Sequence, residues 1–124
     1  MKNFFLMCVI LSSVSLARAN AIPCPNLLTV KAVGWSGARE DSHQLKKWTV
    51  FQFSNYYHTP VLWSFLITEL TVEKYQNVFS AANAALDKLT LYVGPEETEK
   101  KELMCVYTGP NALLGMAISP PRQG

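Results

Sequence analysis

The chain has 124 residues, with 11 basic and 9 acidic side chains and a formal net charge of +2. That length fits one domain, and so small a surplus excludes the usual electrostatic signature of nucleic-acid binders, which gather basic residues on one face. The longest basic runs, Lys46-Lys47 and Lys100-Lys101, read as solvated charge.

Residues 1–21 have the pattern of a cleavable signal peptide. Lys2 gives a short positive start, Phe4 to Leu11 is an unbroken apolar core, and Ala17-Arg18-Ala19 and Ala19-Asn20-Ala21 offer small residues at the exit. Cleavage is therefore placed after Ala19 or Ala21. The apolar stretch is too short for a bilayer span, which needs about 20 residues, so no stable membrane anchor is expected. The single-Lys start fits a bacterial export signal, with the periplasm or the medium as destination. Of the 11 basic residues, Lys2 and Arg18 leave with the signal, while all 9 acidic ones stay, so the mature domain, 22–124, is neutral.

Of the three cysteines, Cys8 is lost with the signal. Cys24 and Cys105 remain in a compartment where disulfides persist. They are too far apart in sequence for a C-x-x-C redox pair. The reading is a structural bridge, closing a loop of about 80 residues and contributing roughly 4.5 kcal/mol in a chain-entropy model.

In chain order, Pro23-Cys24-Pro25 is a stiff entry. Leu27 to Val33 is too short for periodicity to separate helix from strand, with a short helix preferred. Ser36 to Gln44 reads as a loop. Trp48 to Phe53 is rich in β-formers, and Ser54 to Pro60 carries turn residues. Val61 to Thr68 alternates, with Val61, Trp63, Phe65 and Ile67 on one face. These two runs predict an antiparallel hairpin. Val72 to Leu89 has helical spacing of apolar residues, with Thr71 as N-cap and Glu73 and Lys88 suited to the helix dipole.

Gly94-Pro95 punctuates the exit, and Glu96 to Glu102 reads as a charged loop. Leu103 to Tyr107 is a strand with Leu103, Cys105 and Tyr107 on one face. Thr108-Gly109-Pro110-Asn111 is a turn. Ala112 to Ser119 is a last strand, and a loose C-terminal tail follows Pro120-Pro121. The order is (short α)-β-β-α-β-β. It predicts an α+β fold with an antiparallel sheet of about four strands and one long helix packed on one face. Two α-β-β halves are conceivable, but they share no clear sequence identity.

No catalytic residues are assigned. Gly34-Trp35-Ser36-Gly37 lacks the spacing of a nucleophile elbow. His43 and His58 have no metal-ligand spacing, so no metal site is expected. The pairs Glu40-Asp41 and Glu96-Glu97 lie in polar loops, where nothing would desolvate them into an acid/base couple.

One cluster stands out: Tyr56, Tyr57 and His58 in the hairpin loop, followed by Trp63. Such a group can stack on a sugar, a flat cofactor such as haem, or a partner protein. Otherwise Tyr56 and Tyr57 cover the sheet edge with their hydroxyls in water. No cofactor is assigned beyond that haem-type possibility.

The mature chain resembles a group of small exported proteins of unknown function found in legionellae. The resemblance is carried by Cys24-Pro25, Val30-Lys31-Ala32-Val33-Gly34, Trp48-Thr49-Val50, Trp63-Ser64-Phe65, Asn83-Ala84-Ala85-Leu86 and Met104-Cys105-Val106-Tyr107. It implies a secreted single domain with a paired Cys and transfers no activity. The expected function is a non-enzymatic binding or interaction module with an unknown protein or small-molecule partner. The alternatives are a small secreted enzyme with an unrecognised site, or an enzyme inhibitor presenting the Gly109-Pro110-Asn111 loop.

Overall fold

The computed structural model describes residues 21–122. The segment read as a signal peptide, apart from Ala21, and the last two residues of the chain lie outside them.

Asn26 starts the first helix. Its side chain accepts a hydrogen bond from the Leu28 backbone N–H at 2.8 Å, the N-cap arrangement that favours helix over strand. Helix α1 then runs Leu27–Val33 and buries Val30.

The expected four-stranded sheet with one long helix is corrected by a six-stranded antiparallel sheet with two short helices. The fold remains mixed α and β. Strand β1 (Gly37–Glu40) falls in the segment read as a loop. It has no apolar alternation of its own and forms because β2 (Lys47–Asn55) offers an edge to pair with. Strand β3 (Trp63–Thr71) completes the first meander.

The long helix shrinks to α2 (Val78–Leu86), preceded by a 3₁₀ turn at Tyr75–Asn77. Val72 and Leu89 matched the helical spacing because both are buried, but each is buried from a connecting segment. The Val72 N–H bonds to the Lys46 carbonyl, and Glu73 pairs with Lys46 at 2.9 Å instead of serving the helix end.

Strand β4 (Thr90–Glu97) was hidden by Gly94-Pro95, which reads as a turn. Those residues lie where the β4–β5 register shifts, between Val93 and Glu96. An edge strand tolerates proline there because no neighbour needs the missing N–H. Strands β5 (Leu103–Thr108) and β6 (Leu114–Ser119) finish the chain.

The strand order is β1-β2-β3-β6-β5-β4. It is a palindrome: two αβββ units joined along β3 and β6. One row of paired residues crosses the whole sheet, Gly37–Phe51–Leu66–Met116–Val106–Val93, with Leu66–Met116 at the join.

Because side chains alternate along a strand, the sheet has two distinct faces. One carries Val50, Trp63, Phe65, Ile67, Cys105 and Tyr107, all buried, and packs against Val30 of α1 and Val78, Ala82 and Ala85 of α2. The Cys24–Cys105 disulfide, spanning 81 residues, pins the entry segment to β5 on this face. The Tyr107 hydroxyl adds a 2.6 Å bond to the Pro25 carbonyl. Trp35 donates its indole N–H to Asn83 at 2.9 Å and so ties the end of α1 to α2.

Candidate functional site

The hairpin loop separates the four aromatic and histidine candidates into two pairs. Tyr57 and Trp63 go inward, with 2% and 0% of their surface exposed. Tyr56, at 54%, and His58 stay outside. The inward turn comes from the backbone: Tyr57 and His58 both have positive φ, 48° and 59°. Asn55 supports it by accepting from the Tyr57 N–H at 2.8 Å, an Asx turn.

The Tyr57 hydroxyl donates to Gln52 Oε1, and Gln52 Nε2 donates to the Val30 carbonyl at 2.8 Å. Burial holds the Tyr57 phenol above its ordinary range. Tyr107 is raised in the same way, chiefly by burial and further by the nearby Tyr57. The Trp63 indole N–H donates to Thr59 Oγ1 at 2.8 Å. Both inward side chains therefore spend their polar atoms on holding the fold.

The opposite sheet face is built differently. Phe51, Leu66, Met116 and Val106 lie on it along one row, and Ile118 and Met104 are paired in another. Phe51 and Phe53 stand side by side with ring centroids 5.5 Å apart, and Phe53 is 62% exposed. Neither α1 nor α2 packs over these residues. A Cβ on Gly37 would come within 2.8 Å of the Phe51 ring, so the missing side chain lets that ring lie across β1.

These side chains form a half-open groove of about 450 Å³. Phe51 and Phe53 make one wall, Leu66, Met116 and Ile118 line the floor, and Thr49 and Ser64 give polar points. Among the described residues, its charged lining residues are two arginines, Arg39 and Arg122, with no carboxylate. The two differ in state. Arg122 is clamped to Glu102 by two bonds, Nε to Oε2 at 3.0 Å and Nη2 to Oε1 at 2.6 Å. That clamp holds the Glu102 carboxyl below the ordinary range. Arg39 makes no ion pair among the described residues.

Sequence reasoning did not single out this face, though its signal was present. Phe51, Phe53, Leu66, Met104, Met116 and Ile118 occupy positions where a one-sided sheet would carry polar residues.

A second groove, about 320 Å³, lies between α2 and the β5–β6 turn, where Lys47, Glu69 and Lys88 meet small residues. The Gly109-Pro110-Asn111 turn is closed by the Gly109 N–H bonding to the Leu113 carbonyl at 3.0 Å. Among the described residues no group of His, Cys, Asp or Glu could hold a metal ion, and no helix is long and apolar enough to cross a membrane. No family model, curated protein or solved structure matches the chain.

Proposed function

We propose that this chain is an exported, non-enzymatic binding module that binds through the helix-free face of its sheet. The observation carrying the reading is the apolar row across that face, which neither helix covers. An antiparallel sheet with one packed side normally turns polar residues to water on the other. Here half-buried and exposed large side chains, Phe51, Phe53, Leu66 and Met116, are kept there instead. A contiguous apolar patch of this kind marks a contact site for a ligand or partner. Export is supported by the signal pattern of residues 1–21 and by the long-range disulfide within the chain, which suits an oxidising compartment.

The neutral apolar dye N-phenyl-1-naphthylamine tests the binding face. The mature protein should enhance its fluorescence, and Phe53→Ser combined with Met116→Gln should weaken that by at least fivefold with folding intact. Equal binding by the variant, or none by the native protein, counts against the reading. Export is checked separately by the mass of the chain outside the cytoplasm, which should begin at Asn20 or Ile22.

A further inference from the structure

We infer that the groove takes a free single-chain fatty acid, with its carboxylate on Arg39 and its alkyl chain along the floor. This rests on the open face being the binding face and adds the chemistry of the occupant.

Among the described residues, the groove combines an apolar floor with two cations and no lining carboxylate. A ligand matching it is apolar over most of its length and anionic at one end. The arginines then assign the direction. Arg122 already has its charge paired with the Glu102 carboxylate through Nε and Nη2, so it attracts a second carboxylate less than an unpaired arginine does. Arg39, on β1, is exposed and makes no ion pair among the described residues. Its planar fork matches a carboxylate bidentately.

Size agrees with the same occupant. From β1 to β6 the sheet crosses three strand spacings, about 14 Å in all. With carbon–carbon bonds of about 1.5 Å, an extended chain of about ten to twelve carbons spans that width. The alkyl group would pass from Arg39 over Phe51 and Leu66 and end near Met116. Thr49 lies across from Arg39 in the β1–β2 ladder, so a hydroxyl stands beside the proposed carboxylate position.

The test is calorimetric titration of the mature, oxidised protein with dodecanoate below its micellar concentration, beside octanoate and dodecyltrimethylammonium. Dodecanoate should bind at least tenfold tighter than octanoate, because each buried methylene adds to affinity. It should also bind at least tenfold tighter than the cationic chain. Arg39→Gln, at an exposed site, should erase the preference for the anion over the cationic chain. Thermal unfolding of the variant checks that it folds.

A missing charge preference, or one unaffected by Arg39→Gln, while the neutral dye still binds, overturns the fatty-acid assignment and leaves the open-face reading standing. Failure of both dye and dodecanoate overturns both. A concentration-dependent dimer that blocks dodecanoate, or flotation with anionic vesicles in preference to binding monomeric dodecanoate, names a different occupant and overturns the proposal.

Discussion

The Tyr57 hydroxyl donates to the buried side-chain oxygen of Gln52, whose amide nitrogen in turn donates to the Val30 carbonyl. This chain joins the β2–β3 loop, strand β2 and helix α1 through the interior. It gives Tyr57 a structural task and leaves Tyr56 and His58 as the solvent-facing part of the loop.

Tyr57→Phe therefore leaves the Gln52 oxygen buried without its donor. The expected loss is about 1–3 kcal/mol, read by denaturant unfolding. Tyr56→Phe, which alters an exposed ring, should change stability by less than about 0.5 kcal/mol.

The two buried phenols also make stability depend on alkaline pH. Tyr57 and Tyr107 are raised by burial, so the unfolded chain gives up these protons before the folded one does. Their contribution is fully present below about pH 10, the ordinary phenol range, and is lost as pH rises toward the folded values. Unfolding free energy measured between pH 9 and 11 should fall, and Tyr57→Phe should flatten the fall.

The acid side has the opposite sign. Glu102 is held below the ordinary carboxylate range, first by its hydrogen bonds from Arg122. Its contribution is present above the unfolded carboxylate value, near pH 4.3, and is lost as pH drops through the lower folded value. Glu102→Gln should reduce the acid dependence of stability in that window. An unchanged dependence counts against the clamp.

The disulfide should be the largest single covalent support. Replacing Cys24 and Cys105 together with alanine removes a link across 81 residues. The expected cost is about 2–5 kcal/mol, and a reductant should lower the melting temperature of the native protein but not of the variant.

Gly94 tests the unexpected edge strand. It has φ +128°, and a Cβ there would lie 2.7 Å from the Met104 carbonyl oxygen of β5. Gly94→Ala should cost more than Gly34→Ala, where φ is also positive but nothing stands within 4 Å. Such backbone strain is worth about 1–3 kcal/mol, and the clash adds to it. Thermal unfolding of the two variants gives the comparison.

Part of this fold was legible in the sequence. Trp63, Phe65 and Ile67 alternate cleanly and are all fully buried. The Cys24–Cys105 bridge was legible in the cysteine spacing. Strand β1 was not legible, because Gly37–Glu40 holds nothing apolar except Ala38, and its conformation is imposed by pairing with β2. Strand β4 was masked by a Gly-Pro pair that accommodates a register shift instead of ending the strand. Tyr57 sits among polar neighbours, and only the positive φ at Tyr57 and His58 turns its ring inward. The open face was written in Phe51, Leu66 and Met116, but their row exists only once β6 is set beside β3, far away in sequence.

The most direct test of the binding face is an amide chemical-shift titration of the mature, oxidised protein with dodecanoate. The expected result is saturable shifts at residues 51–53, 64–66 and 116–118, with the loop 56–60 and the α2 backbone little changed. Shifts centred instead on Tyr56 and His58, or on the groove beside α2, would contradict it.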